Sequence, residues 1–187
     1  MSGVAYSNLM KQLDSKRLYD GRWSLHLDTI ELANGTKKET PRIDHPGSVV
    51  MVPIIGDQVV MLRQYRHALG QTILELPAGT LERGEVPLPA AQRELREETG
   101  YRADQLILLS QLWPAPGSTN ELMNTYLATG LSADPLEMDD DEVIETVLMP
   151  LTQLVDMALT GQLADAKSVA GILQAHHYLQ TNVNRLV

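Results

Sequence analysis

Gly79–Tyr101, GTLERGEVPLPAAQRELREETGY, is the stretch from which the rest of the chain is read. Pro87 and Pro89 are tolerated in the first turn of a helix but not in its interior. Gly100 suits the position just past a helix end. The spacing therefore predicts a helix from about Pro89 to Thr99, entered through a loop. Leu88, Ala91 and Leu95 would form its buried side. Glu94, Glu97 and Glu98 stand at i, i+3 and i+4, and at about 100° per residue they share one face. Like charges so placed repel by roughly 0.2–0.5 kcal/mol per pair. A divalent cation is the simplest compensation, because carboxylate oxygens are hard ligands that suit Mg²⁺ or Mn²⁺. A solvated helix laced by Arg93 and Arg96 is the plainer reading. It accounts for neither the loop glycine Gly79 nor Glu85.

Composition limits what such a site can serve. The chain has 187 residues, 43% of them apolar, enough for one domain with or without a small extension. Phenylalanine is absent, so Leu, Val, Ile and Met must fill the interior. The formal charge of −9 argues against general binding to nucleic acid or anionic lipid. An anionic substrate would need local help from arginines or metal ions. With no cysteine there are no disulfides and no thiolate metal ligands. The first residues lack the apolar core of a signal peptide. The longest apolar run, Val49 to Ile55, is far too short to span a bilayer. A soluble, cytoplasmic protein is the expectation.

Strands dominate the first half. Trp23, Leu25 and Leu27 alternate with polar residues, and the phase then shifts near Asp28 to Ile30 and Leu32, which suggests a bulge or bend. Asn34-Gly35 is a hairpin signal, and the return strand Thr36 to Ile43 carries Pro41, as edge strands do. His45-Pro46-Gly47 marks a boundary. Ser48 to Ile55 and Gln58 to Gln64 read as two strands joined at Gly56-Asp57. Further strands are expected near Leu106 to Ser110, Asn120 to Ala128 and Glu145 to Met149. Leu151, Leu154, Val155, Ala158 and Leu159 form a helical stripe, as do Val169, Leu173 and Leu179, and Gly161 ends the first of these helices. This order reads as an α+β fold, a mixed sheet between helices in an α/β/α sandwich, with a small antiparallel N-terminal sheet.

Gly79, five residues, Glu85, seven residues, Arg93-Glu94-Leu95, one residue, Glu97-Glu98, one residue and Gly100 resembles the Nudix box without a departure. Seven fixed identities at a usage of roughly 7% each agree by chance on the order of 10⁻⁸ per window. The resemblance implies a Nudix fold and hydrolysis of a nucleoside diphosphate linked to another group. It implies Glu94 and Glu98 as metal ligands, Glu97 as a further ligand or an orienter of water, and the Ala78 carbonyl completing the set. Glu85 and Arg93 would pair and hold loop to helix. Mg²⁺ is the implied cofactor, with Mn²⁺ as the alternative.

Other segments narrow the resemblance. Arg63-Gln64-Tyr65-Arg66, Glu75-Leu76-Pro77-Ala78-Gly79, Pro114-Ala115-Pro116-Gly117 with Glu121, Asp139 to Glu145 and Asp165-Ala166-Lys167 look like those of ADP-ribose pyrophosphatases and their nucleoside-diphosphate-sugar relatives. Arg63 and Arg66 would clamp a phosphate or terminal ribose, or balance an acidic surface. Glu75 would pair with one of them or contact substrate, and Glu121 would contact substrate or stabilise a turn. In the subgroup an acidic loop delivers a general base. Glu142 is the candidate here, ahead of Glu145, with Glu97 as its rival. The subgroup also implies a homodimer sharing its N-terminal sheet, so residues 1–45 read as a dimer-forming β extension and 46–187 as the Nudix domain. Trp23 reads as core, or else as a contact to a second subunit. GDP-mannose or a UDP-sugar is the alternative substrate. A non-catalytic ADP-ribose sensor is disfavoured because every box carboxylate is present.

Overall fold

The computed structural model describes residues 9–137 and 143–182. The chain divides into two compact units, Met1–Pro46 with Ala115–Glu121, and Gly47–Pro114 with Leu122–Val187.

The first unit is an antiparallel three-stranded sheet of β1 (Met10–Asp20), β2 (Ser24–Leu32) and β3 (Lys37–Asp44), in that order. The Asn34-Gly35 turn joins β2 to β3, with the Thr36 N–H donating to Asn34 Oδ1 at 3.0 Å. Strand β1 has no counterpart in the sequence reading. Its apolar residues Met10, Leu13, Leu18 and Tyr19 keep no period of two, because the strand is bulged between Gln12 and Asp14 and again between Arg17 and Tyr19. The phase shift near Asp28 is not a bulge. Strand β2 pairs regularly with β3 from Ser24 to Glu31. A polar residue instead occupies an inner position. Asp28 is buried beside Ser24 and Ile30, and its carboxylate accepts from Ser15 Oγ at 2.6 Å and Arg42 Nε at 2.6 Å. Those hydrogen bonds hold its pKa below the ordinary carboxylate value. Trp23 is not a core residue. It is 38% exposed and tilts against Tyr19 with ring centroids 5.2 Å apart.

The second unit carries the mixed sheet. Its strands are β4 (Ser48–Ile55), β5 (Gln58–Arg66), β6 (Gln71–Glu75), β7 (Ala78–Thr80), β8 (Tyr101–Leu112), β9 (Met123–Ala133) and β10 (Ile144–Pro150), and its helices are α1 (Pro87–Thr99), α2 (Leu151–Leu159) and α3 (Ala166–Thr181). The order is β10-β5-β4-β9-β8, with β6 on β5 and β7 on β4. Only β4 and β9 run parallel; the remaining pairs are antiparallel. The short strands β6 and β7 were not anticipated.

Strand β4 is buried on both faces, so it reads as an unbroken apolar run. Val50 and Val52 pack with Leu76, Leu127, Leu154 and Ile172, on the side of α2 and α3. Val49 and Met51 pack with Ala90, Ala91, Leu95 and Tyr126, on the side of α1. This alternation places helices on both faces, which is the expected α/β/α sandwich. Ala90, Ala91 and Leu95 form the buried stripe of α1, whereas Leu88 is exposed. Gly100 closes the helix at φ 74°, and its N–H donates to the Arg96 carbonyl. Among the described residues no helix is long and apolar enough to cross a membrane.

Candidate active site

Five consecutive residues, Glu75 to Gly79, tie the sheet to two helices. Glu75 is fully buried at the end of β6. Arg66 grips it with Nε at 2.8 Å and Nη2 at 2.9 Å, and Lys167 Nζ donates to the same carboxylate. The Leu76 N–H donates to Ser168 Oγ at 2.7 Å, at the start of α3. The Pro77 carbonyl accepts from the Met51 N–H at 2.9 Å. The Ala78 N–H donates to Glu98 Oε2 at 2.8 Å, on α1. At Gly79 an added Cβ would stand 1.9 Å from Glu94 Cδ, so only glycine leaves the carboxylate room against the backbone.

The loop before α1 is fastened by Arg93. Its Nε and Nη2 donate to the two Glu85 oxygens at 3.2 Å each, its Nη1 donates to Glu97 at 2.7 Å, and Nη2 lies 2.9 Å from Glu94. Glu85 also accepts from the Glu82 N–H at 2.9 Å. Burial pushes the Glu85 carboxyl up, but the bonds from Arg93 and Glu82 outweigh it and hold the pKa below the ordinary value. Burial likewise opposes the Arg93 charge. Glu85, Glu94 and Glu97 overcome that and push its pKa far above normal.

Glu94, Glu97 and Glu98 share the helix face expected for them, but their carboxylates do not meet at a point. Among the described residues no three Asp, Glu or His side chains converge as metal ligands. The reason is local: Arg93 draws Glu94 and Glu97, while the Ala78 amide holds Glu98. The Ala78 contact made here is through its N–H, not the carbonyl assigned from the resemblance.

The two arginines of β5 differ in their surroundings. They lie three residues apart, and strand alternation sends them to opposite faces. Arg63 is exposed, opposite Leu74 and Glu145. Arg66 faces Glu75. Burial disfavours the Arg66 charge, but Glu75, Glu98 and Asp165 together raise its pKa. Of the two readings open for Glu75, the structure shows the ion pair, with both oxygens engaged. Glu121 belongs to the first unit, where its N–H donates to Thr119 Oγ1 at 3.0 Å. Glu142 lies outside the described residues. Strand β10 resumes at Ile144, opposite Gln64 and near the Arg66 end of β5.

Asp165, Lys167 and Ser168 received no role from the sequence. Asp165 caps α3, accepting from the Ser168 N–H at 3.0 Å and Ser168 Oγ at 2.5 Å, and it also takes Lys167 Nζ at 3.0 Å. An Asp three residues before a Ser at a helix start is a legible cap. The reach of Lys167 to Glu75 has no local signature, since 92 residues separate them.

A family model described as NUDIX domain matches residues 44–171, from just before β4 into α3, with all the box residues. The chain belongs to the Nudix family. It is 34% identical over 174 residues to the methanol dehydrogenase activator of Bacillus methanolicus, covering 91% of this chain and 92% of that one. It is 33% identical over 180 residues to the ADP-ribose pyrophosphatase of Bacillus subtilis (strain 168), covering 91% and 95%. A crystal structure of an ADP compounds hydrolase superposes with a TM-score of 0.80 at 26% identity, covering 92% of this chain and 95% of that one. As a Nudix hydrolase the chain is an enzyme acting on nucleoside diphosphate derivatives.

Proposed function

We propose that this Nudix hydrolase cleaves the diphosphate of ADP-ribose with water, giving AMP and ribose 5-phosphate, or acts likewise on a close nucleoside-diphosphate-sugar. The observation that carries the reading is the surplus of carboxylates along α1. Glu94 and Glu97 on the helix and Glu85 in the loop before it gather on the Arg93 guanidinium, and Glu98 lies on the same helix. Such a donor set fits a hard divalent cation. Its oxygens are the right type, and Gly79 leaves the Glu94 carboxylate room against the backbone.

Glu94, Glu97 and Glu98 would hold Mg²⁺ or Mn²⁺, with the Ala78 carbonyl as a further oxygen. Bound there, the ions would supply positive charge against the diphosphate and acidify water. The chain's own residues do the rest. Arg66, fixed by Glu75, offers its free edge to a phosphate. Arg93 and Glu85 keep the loop and α1 in register. Glu142 would be the general base, accepting a proton from the attacking water. Arg63 and Glu121 would contact the outer parts of the substrate.

The N-terminal sheet would be shared in a homodimer. Leu9, Met10, Leu13, Leu18, Tyr19 and Trp23 are all exposed on or beside β1 and β2, an apolar surface that a second subunit would cover. The protein would work in the cytoplasm on a small-molecule substrate, with neither nucleic acid nor membrane as partner. Purified protein assayed with Mg²⁺ or Mn²⁺ against ADP-ribose, GDP-mannose, UDP-glucose and NADH tests the substrate. The expected outcome is the highest kcat/KM on ADP-ribose, released as AMP. Preference for GDP-mannose or UDP-glucose would move the assignment to that sugar nucleotide. Gel filtration showing monomer alone would remove the shared sheet.

A further inference from the structure

We propose that Lys167 is a positioning residue for diphosphate binding, acting through Glu75 on Arg66. The inference rests on the hydrolase reading above and adds α3 to the machinery of the site.

Four charged side chains alternate in sign along a continuous path. Arg66 holds Glu75 through two hydrogen bonds, Glu75 holds Lys167, and Lys167 reaches Asp165 at 3.0 Å. Asp165 is fixed in turn as the cap of α3, and Ser168 binds both that carboxylate and the Leu76 N–H next to Glu75. The Lys167 ammonium is thus anchored at both ends of its reach.

This arrangement determines what Arg66 can do. Its Nε and Nη2 are spent on Glu75, and the guanidinium is 38% exposed, so its outer edge carries the remaining N–H donors. A planar fork gripped on one edge presents the other in a single orientation, which suits bidentate contact with a phosphate. Beyond Glu75, the charges of Glu98 and Asp165 also favour the charged form of Arg66.

Lys167 contributes in two ways. Glu75 is fully buried, and a carboxylate there needs all its hydrogen bonds to keep one orientation. Removing Lys167 leaves Oε2 with one partner fewer and lets the Arg66–Glu75 fork shift. Lys167 also shares the Glu75 charge. A lone Arg–Glu pair is neutral toward an incoming phosphate, whereas a carboxylate divided between two cations leaves Arg66 the stronger attractor.

The test uses the full chain as Lys167→Met, Lys167→Arg and Asp165→Asn, with Arg66→Lys and the double variant Arg66→Lys/Lys167→Met. KM and kcat on ADP-ribose are measured beside the calorimetric Kd for ADP and the Tm. Lys167→Met is expected to raise KM and Kd by about tenfold, the loss of roughly one charge-assisted contact, while kcat falls less than about threefold. Lys167→Arg should recover most of that. In the Arg66→Lys background, Lys167→Met should add less than about twofold, because coupled residues are not additive. Asp165→Asn keeps a competent helix cap, so it covers the case where Lys167→Met does not fold. It should raise KM by about threefold with Tm nearly unchanged. A Tm change with KM and Kd unmoved, or full additivity with Arg66→Lys, overturns the proposal. Wild-type protein inactive on every nucleoside diphosphate would instead remove the hydrolase reading on which this one stands.

Discussion

Two ion clusters flank the Glu75–Gly79 segment, and they are built on opposite principles. At the α3 end, Arg66, Glu75, Lys167 and Asp165 alternate in sign and balance to zero around a fully buried carboxylate. At the α1 end, Arg93 faces Glu85, Glu94 and Glu97, leaving carboxylates in excess. Balanced charges need nothing further, so the first cluster is suited to holding side chains in place. Several carboxylates gathered on one helix suit a cation of higher charge, so the second is suited to binding one. The contrast predicts that removing the buried carboxylate of the first cluster costs stability, while substituting the α1 glutamates of the second costs turnover.

The largest effect should come from Glu75→Ala. It leaves Arg66 and Lys167 facing each other without the buried carboxylate between them, and breaking such a cluster costs about 3–5 kcal/mol. Urea denaturation would show it. A loss below about 1 kcal/mol would mean the cluster is solvated and the contrast is false.

Glu94→Gln and Glu98→Gln should do the reverse. Each is expected to lower turnover by at least about 10²-fold through lost metal-assisted catalysis, with little loss of Tm because the amide keeps an acceptor in place. Wild-type rates in both variants would end the assignment of α1 as the metal-holding helix. Glu142→Gln divides the roles further: an unchanged rate would pass the general base to Glu97.

Gly79→Ala sharpens the same point at smaller cost. A new Cβ would overlap the Glu94 carboxylate, the movable end of a flexible side chain, so the backbone can stay while the carboxylate moves. Displacement of a site group by about 1 Å costs turnover by roughly 10–10²-fold, and Tm should shift little. An equal loss in both would make Gly79 a packing residue only.

The two clusters also differ in how far the sequence disclosed them. The α1 cluster was legible because its members lie within one helix and its entry loop, where fixed spacing becomes fixed geometry. Ser48 to Ile55 was legible as a strand because both faces are buried. The α3 cluster was not, since Glu75 and Lys167 meet only through the tertiary fold. Strand β1 escaped because two bulges destroy its alternation and no face of it is buried. Asp28 misled for a related reason: a buried, hydrogen-bonded carboxylate imitates a break in phase. Arg63 and Arg66 sit in different surroundings because positions three apart on a strand face opposite ways, which their closeness in sequence hides.

The smallest effect concerns pH and the loop tie itself. The Glu85 pKa is depressed below the ordinary carboxylate value in the folded state, because the Arg93 and Glu82 hydrogen bonds outweigh burial. A carboxylate depressed on folding contributes stability that is complete above its unfolded pKa and is lost as pH falls through the folded one. Both partners are partly exposed, which limits the contribution to about 1 kcal/mol or less. Thermal scans of wild type and Glu85→Gln should therefore differ most near neutral pH and converge as the pH drops below about 4. The comparison isolates Glu85, because every other carboxylate titrates in both proteins. A gap that stays constant down to acid pH would show that Glu85 acts through shape rather than charge. The excess negative charge at α1 would then lack one of the ties holding its loop in place.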